Sequence, residues 1–172
     1  EQCLLHHNRN PHLSREQIAS RLCLELGQER VVWLPYGLAL DDDTDGHVDN
    51  VAAFCAKNVV VLQGCDDPRE ADYQRCAANR VAAEAAGLEV REIPVLPFMT
   101  VNGLRLVVPY LNFYVVNGGV IVPVCGHAAD DDMMALIAEW FPNRQIVGLH
   151  VGEILAVGGG GIHCITQQIP AL

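Results

Sequence analysis

Lysine is nearly absent from this chain of 172 residues, which contains a single one, Lys57. With 21 acidic residues against 11 lysines and arginines, the formal net charge is −10 at pH 7. Nucleic-acid binding requires clustered basic residues that neutralise phosphates, so this charge argues against a nucleic-acid partner. An acidic surface instead favours a cationic ligand.

Long apolar runs are also missing. The most apolar region, Leu104 to Cys125, is broken by Arg105, Pro109, Asn112 and Asn117, so we expect no transmembrane helix and no membrane partner. The first residues do not form a charged-then-apolar leader, and we expect no secretory signal. A hydrophobic content of 51% and a length typical of one domain predict a packed globular core.

Paired cysteine spacing is a further absence. The seven cysteines are odd in number and irregularly spaced, so they predict neither a zinc site nor a disulfide framework. A reducing compartment is the simpler location, and we expect the protein to be cytoplasmic. The cysteines stand at positions 3, 23, 55, 65, 76, 125 and 164.

Capping and turn residues locate the predicted secondary structure. Ser14 and Gln17 form a capping box, and Gly27 is placed to end the same helix. Asp67 and Pro68 suit the start of a second helix. We predict helices over 14–27, 69–86 and 129–141, and strands over 30–34, 59–62, 90–93, 104–108, 112–116, 120–124, 145–151 and 162–165.

The arrangement of these elements favours an α/β fold of repeated modules. Helices begin near residues 14, 68 and 129, each followed by a strand, which indicates one structural unit repeated at intervals. The Asn117-Gly118 pair predicts a β-hairpin turn. Hairpins fit poorly in a doubly wound parallel sheet, which uses helical crossovers, so we favour small mixed sheets that each carry a helix.

A glycine-rich stretch near the C-terminus, GGGGIHCITQQ, is the first candidate for chemistry. Four consecutive glycines, Gly158 to Gly161, allow the backbone to lie close to another segment or a ligand. Cys164 follows three positions after Gly161, beside His163. A cysteine thiolate is a strong nucleophile near neutral pH, although free cysteines are more often simply buried.

The second candidate is the acidic loop DDDTDGHVDN, Asp41 to Asn50. Its beginning imitates a calcium-binding EF-hand loop, but Ala52 stands where that loop needs a glutamate. A merely solvated acidic loop is the other simple interpretation. Against it stands His47, between Asp45 and Asp49. In an extended segment these three side chains would share one face, and neighbouring carboxylates suit an acid–base histidine.

Three separated strings resemble the agmatine deiminase family: LPYGLALDDDTDGHVDNVAAF, YLNFYVVNGGVIVP and GGGGIHCITQQIP. They occur in family order and involve essentially the whole chain. The opening CLLHHNRNP is similar as well, although His6 and His7 depart from the family's asparagine and proline. The resemblance implies a five-bladed α/β propeller of ββαβ modules, of which residues 1–172 would form the C-terminal portion.

The resemblance also implies roles for individual residues. Cys164 matches the nucleophile, His47 the general acid–base, and Asp49 a carboxylate that binds the guanidinium. Asp45 and Thr44 lie in the same loop and are candidates for lining the substrate site.

The implied reaction is hydrolysis of agmatine to N-carbamoylputrescine and ammonia through an S-amidino-cysteine intermediate, a step of putrescine biosynthesis that needs no metal or cofactor. The family's full chain is about twice this length and supplies further acidic substrate ligands, so we expect the isolated chain to be inactive or nearly so.

Two alternatives stay open at this stage. One is a peptidyl-arginine deiminase, whose bacterial-type members share the HVD and HC elements. The other is a non-catalytic fragment with an acidic binding loop. Assembly into a homo-oligomer is also left open.

Overall fold

A computed structural model describes residues 1–169, so Pro170, the last residue of the glycine–cysteine string, lies outside the described residues together with positions 171 and 172. The helices are α1 (Arg15–Leu26), α2 (Asp72–Ala85), α3 (Asp130–Trp140) and α4 (Gly152–Val157). The strands are β1 (Ala52–Ala56), β2 (Val59–Gln63), β3 (Glu89–Ile93), β4 (Phe98–Val101), β5 (Leu104–Val107), β6 (Tyr114–Val116), β7 (Gly119–Pro123) and β8 (Gln145–Leu149).

The strands form two similar three-stranded sheets and one hairpin. In the first sheet β1 pairs antiparallel with β2, and β2 pairs parallel with β3 after the crossover through α2. The second sheet repeats this pattern with β6, β7, α3 and β8. The β4–β5 hairpin connects the two units. The chain is therefore α/β and contains two complete ββαβ modules, as predicted.

Several local predictions are confirmed at the level of single hydrogen bonds. The Ser14 hydroxyl accepts from the Gln17 backbone N–H, the Gln17 side chain accepts from the Ser14 N–H, and Gly27 ends α1 with φ +62°. Gly118 has φ +78° in the turn between β6 and β7, a conformation that favours glycine.

Two predicted strands are wrong. Residues 30–34 form no strand within residues 1–169, because a strand needs a neighbouring strand to pair with and no strand of the described chain pairs with this segment. Residues 162–165 form a short 3-10 helix, His163–Ile165, closed by a bond from the Thr166 N–H to the His163 carbonyl. The β-branched isoleucines of that segment had suggested a strand.

Other boundaries differ in instructive ways. Helix α2 begins at Asp72 because Asp67 accepts from the Arg69 N–H in a separate turn. Strands β1 and β4 and helix α4 were not predicted. β1 has the sequence AAFCA, whose alanines give little strand signal. No helix among the described residues is both long and apolar enough to cross a bilayer.

The main core lies between the two modules. Strand β2 contributes to two clusters, because Val61 faces the central cluster while Val60 and Leu62 face α2. From the second module, α3 packs Ile137 against β7 side chains in the central cluster. Buried residues of the central cluster are Val61, Ile93, Tyr110, Leu111, Phe113, Val120, Val122, Val124, Met133, Ile137, Trp140 and Phe141.

Truncating the centre of this core should destabilise the chain. Ile137 is fully buried, so we expect Ile137→Ala to lower the free energy of unfolding by about 2–5 kcal/mol through lost apolar contacts and the cavity left behind. Urea denaturation followed by circular dichroism measures the change. Leu24→Ala on α1 is the control, because Leu24 is 79% exposed and should alter stability by no more than about 0.5 kcal/mol. Equal effects at both positions would contradict the assigned core.

Candidate functional site

The acidic loop is folded around one buried carboxylate, Asp41. Its oxygens accept from the backbone N–H and hydroxyl of Thr44, from the His47 N–H at 3.0 Å and from the Asn50 side-chain amide at 2.9 Å. The Asp41 carbonyl also accepts from the Gly46 N–H. The loop is therefore a compact structure in which Asp41 is satisfied by protein donors, which does not fit an EF-hand ligand.

This compact shape overturns the expectation that Asp45, His47 and Asp49 share one face of an extended segment. Asp45 adopts φ +60°, and residues Val48–Asn50 form a 3-10 helix that begins after His47. The turn points the Asp45 carboxylate toward the N-terminal segment, where it pairs with His6 and Arg9.

Cys164, Asp49 and His47 nevertheless converge in space. The Cys164 thiol donates to Asp49 Oδ2 at 3.3 Å, although 115 positions separate the two residues. His47 Nδ1 lies 4.0 Å from Asp49 Oδ1. One ligand-type atom from each of the three residues lies within 4.8 Å of the other two. The cysteine motif and the histidine motif therefore meet at one place.

His163 completes the surroundings of Asp49. Its Nδ1 lies 2.8 Å from Asp49 Oδ2, the oxygen that also accepts from the Cys164 thiol. Asp49 Oδ1 is buried and has no hydrogen-bond partner within residues 1–169. Buried carboxylate oxygens are normally paired, so this atom retains unused acceptor capacity.

The electrostatics of the site favour the neutral form of the Cys164 thiol. Cys164 is exposed as a residue, but desolvation by the surrounding protein raises the pKa of its thiol above the ordinary value. The charge of Asp49 and the hydrogen bond from the thiol to that carboxylate raise this pKa further. Donors at the Gly161 backbone and the Asn112 side chain act in the opposite direction. A cation bound at Asp49 would neutralise the negative charge that raises the pKa of the Cys164 thiol.

A cavity of about 480 Å³ lies beside this cluster. His47, Asp49 and His163 line it together with apolar residues, including Leu22 and Trp33. The polar groups are thus next to a space large enough for a small organic cation.

Thr44 and Asp45 are placed away from the thiol. The Thr44 hydroxyl is bonded to Asp41, and the Asp45 carboxylate accepts from Asn8 and Arg9. Neither side chain makes a described polar contact with Cys164. Their role in lining the substrate site stays a prediction, and their observed contacts serve to fix the loop.

Asn112 was not singled out from the sequence. It is fully buried, its Nδ2 donates to Cys164 Sγ at 3.2 Å and its Oδ1 accepts from the Cys164 N–H at 3.3 Å. The signal was an amide between Leu111 and Phe113 in an apolar run, where a buried polar group needs partners.

The glycine run makes the close approach that its composition predicted. A Cβ at Gly161 would lie 2.4 Å from Asn112 Oδ1, and one at Gly160 would lie 3.0 Å from Cys164 Sγ. Larger residues would push the cysteine segment away from Asn112.

The donor set of this cluster includes atom types that bind zinc. A Zn²⁺ ion at its usual bond lengths of about 2.0–2.3 Å would have to displace the hydrogen bonds that Asp49 accepts from Cys164 and His163. The observed contacts of Asp49 are therefore hydrogen bonds with its protein neighbours.

Known proteins resemble this chain along its whole length. A family model for Porphyromonas-type peptidyl-arginine deiminase matches residues 1–170. The chain is 36% identical to agmatine deiminase of Medicago truncatula, covering 100% of this chain and 53% of that protein. It is 39% identical to agmatine deiminase of Pseudomonas fluorescens, covering 99% and 52%. The chain thus spans about half the length of the curated relatives it matches.

Solved structures of agmatine deiminases are similar to this chain. The agmatine deiminase of Enterococcus faecalis, captured while catalysing its reaction, matches with a TM-score of 0.89 and 33% identity over 99% of this chain and 52% of that one. A substrate-bound C. jejuni agmatine deiminase variant matches with a TM-score of 0.87 and 29% identity over 94% and 48%. These likenesses confirm the partial propeller fold. With sequence and structure in agreement, the chain belongs to the Porphyromonas-type peptidyl-arginine deiminase family.

Proposed function

We propose that this chain carries the nucleophile, the acid–base histidine and one substrate carboxylate of an agmatine deiminase. The observation that supports this most directly is the convergence of Cys164, Asp49 and His47 from two distant motifs. Of these three residues, His47 and Asp49 line the cavity. The curated relatives are named agmatine deiminases, which supports agmatine as the substrate.

Asp49 would bind the substrate. A guanidinium is planar and presents N–H groups that match a carboxylate, and Asp49 Oδ1 is buried without a partner among the described residues. His163 holds the other oxygen and so orients the carboxylate. The net charge of −10 would add a weak attraction for a dicationic substrate such as agmatine.

Substrate binding would also activate the thiol. In the free chain the Asp49 charge contributes to the raised pKa of Cys164. A guanidinium paired with Asp49 offsets that charge, so the thiolate would form where its electrophile is already held in place. The thiol proton would pass to neutral His47, and the thiolate sulfur would then form a bond to the guanidinium carbon.

His47 would carry protons in both halves of the reaction. Protonated His47 donates a proton to the departing amino group, the C–N bond breaks, and ammonia leaves an S-amidino-cysteine. Neutral His47 then takes a proton from water, the new oxygen bonds to the same carbon, and the C–S bond breaks to restore the cysteine. Agmatine and water are thereby converted to N-carbamoylputrescine and ammonia, with no cofactor consumed.

A peptidyl-arginine substrate is the second candidate, and the family description favours it. Both substrates present the same guanidinium to Asp49 and Cys164, so they differ only at the far end. Comparing ammonia release from agmatine and from an arginine peptide discriminates between them.

The chain is proposed to be the C-terminal portion of a larger propeller in the cytoplasm. Seven free cysteines are compatible with a reducing compartment. Apolar side chains near the site are exposed, including Val48 at 60%, Phe54 at 63% and Ile165 at 71%. Such a patch is expected where further protein packs against it.

We therefore expect the isolated chain to release little or no ammonia from agmatine, and activity to appear when it is co-expressed with the N-terminal half of the Pseudomonas fluorescens relative. The added half would cover the exposed patch and close the site. Coupled ammonia detection measures the reaction. The added half alone is the control. Robust turnover by the isolated chain would contradict the incomplete site, and no turnover by a co-purified, folded complex would contradict the proposed reaction.

A further inference from the structure

Helix α2 has a polar face that holds the segment leading into the acidic loop. This polar face consists of Asp72, Arg75 and Asn79, which are three and four positions apart and so lie on one side of the helix. Asp72 and Asn79 are each 2% exposed, and buried polar side chains normally have partners. Their partners here are backbone groups of residues 36–39.

The hydrogen bonds from the polar face fix both ends of this segment. Asn79 Oδ1 accepts from the Tyr36 N–H at 3.0 Å, and Asn79 Nδ2 donates to the Tyr36 carbonyl at 2.8 Å. Asp72 Oδ1 accepts from the Ala39 N–H at 2.8 Å. The side chains of α2 therefore satisfy backbone groups that no strand of the described chain pairs with.

Gly46 of the acidic loop packs tightly against Gly37 and Gln2. A Cβ at Gly37 would lie 2.3 Å from Gly46 Cα, and a Cβ at Gly46 would lie 2.7 Å from Gln2 Nε2. Arg75 contacts both neighbours of Gly46, because its Nη1 donates to Gln2 Oε1 at 2.8 Å and to the Gly37 carbonyl at 3.4 Å. Gln2 Oε1 also accepts from the Gly37 N–H. Groups held by α2 therefore set the position of Gly46.

His47 follows Gly46 and depends on this packing. Among residues 1–169, every hydrogen bond described for His47 uses its backbone. Its ring Nδ1 lies 4.0 Å from Asp49 Oδ1, which is beyond hydrogen-bond distance. The direction of the imidazole is therefore set by the backbone of residues 46 and 47.

We propose that the polar face of α2 positions His47 for proton transfer with Cys164. The constraint passes through the backbone of residues 36–39 to Gly46 and so to the imidazole. The inference rests on the proposed acid–base role of His47 and extends it to three side chains that do not line the cavity. Proton transfer needs its heavy atoms within hydrogen-bond reach, so a displacement of about 1 Å costs up to about 10²-fold in rate.

The test uses two methionine variants of the same helix in the full chain. Arg75→Met removes the guanidinium that contacts Gly37 and Gln2 but keeps an unbranched apolar stem. Arg80→Met is the matched control, because it removes the same charge from an exposed position whose ion pairs lie on the surface. Circular dichroism checks the fold of each variant.

Nuclear magnetic resonance of the His47 ring provides the readout. One ring nitrogen lies within 4.8 Å of the Cys164 sulfur, so we expect a nuclear Overhauser cross-peak between the ring and the Cys164 β protons. Arg75→Met should shift the ring signals and weaken this cross-peak, and Arg80→Met should change neither. A lower melting temperature with unchanged ring signals would mean that the polar face only stabilises the fold, and it would overturn the proposal. Equal changes in both variants would also overturn it.

A second variant tests the contact between the two glycines and leaves the polar face intact. Gly37 does not adopt a positive φ, so Gly37→Ala adds mainly the clash of its Cβ with Gly46. We expect the same movement of the His47 ring signals. Gly64→Ala is the control, because the nearest atom to its Cβ would lie at an ordinary 3.4 Å. Unchanged His47 signals in a folded Gly37→Ala variant would overturn the proposal.

Hydrogen exchange in the unaltered chain decides the matter if neither Arg75→Met nor Gly37→Ala folds. Residues held by one set of contacts open together, so the amides of Tyr36, Ala39 and His47 must show similar protection. A His47 amide that exchanges far faster than the other two would overturn the proposal.

Turnover by the completed protein separates this inference from the proposed function. We expect Arg75→Met to lower kcat by about 10- to 100-fold and to leave KM within about twofold, because His163 holds Asp49 independently of α2. An unchanged kcat in an active protein would overturn the positioning role. Failure of the completed protein to hydrolyse agmatine, with the His47 ring signals still shifted by Arg75→Met, would instead refute the proposed function alone.

Discussion

Replacing Cys164 by serine is expected to lower agmatine turnover by about 10⁴-fold or more in the chain completed with an N-terminal half. A serine hydroxyl at this position would remain protonated, because the Asp49 charge that raises the pKa of the Cys164 thiol would also disfavour an alkoxide. Initial rates of ammonia release measure the effect. The control variant is Cys23→Ser, which removes a thiol in α1, outside the cluster. We expect it to change the rate by less than about twofold.

Two outcomes would count against the nucleophile. Substantial activity in Cys164→Ser would mean that another group attacks the guanidinium. Equal losses in both serine variants would point to general damage. His47→Gln provides an internal comparison, because loss of one acid–base group costs about 10²–10⁴-fold and should not exceed the loss of the nucleophile.

Alkylation by a cationic amidine should be selective for Cys164 and dependent on Asp49. We expect 2-chloroacetamidine to modify Cys164 faster than the other six cysteines, because its amidinium can pair with the buried Asp49 oxygen. Asp49→Asn should slow this reaction by about 10- to 100-fold. Peptide mass spectrometry measures the modified fraction at each cysteine.

With the neutral reagent iodoacetamide, we expect Asp49→Asn not to slow the alkylation of Cys164. Asp49→Asn removes a charge that raises the pKa of Cys164, so more thiolate is present at neutral pH and neutral alkylation should be equal or faster. Asp131→Asn, on the exposed face of α3, is the charge-matched control. Equal slowing of both reagents would argue that Asp49 only supports the local fold. Uniform labelling of all cysteines would favour a non-catalytic fragment.

The sequence predicted most of the regular structure because its local signals agreed with its packing. The capping box at Ser14, the Asn117-Gly118 turn and the apolar runs of β2 and β7 each specify their element within a few residues. The strand predicted over residues 30–34 was wrong because strand formation depends on a neighbouring strand, which no local pattern encodes.

The site was predictable in its residue types but not in its geometry. Cys164 and His47 could be chosen from motif chemistry, and the structure brings them together with Asp49. Asp45 was grouped with them on the assumption of an extended segment, whereas the loop turns around Asp41. Asn112 has no charge and no titration of its own, so its importance emerges only from its contacts with Asn50 and Cys164.

The separation of the site's components along the chain has a consequence during synthesis. Asn112 lies 62 positions after Asn50 and 52 before Cys164, and the thiol contacts Asp49 across 115 positions. Contacts between such distant residues form only when both modules have docked. A newly made or damaged copy would therefore lack these contacts around the sulfur, and we expect Cys164 to become selective only in a correctly folded molecule.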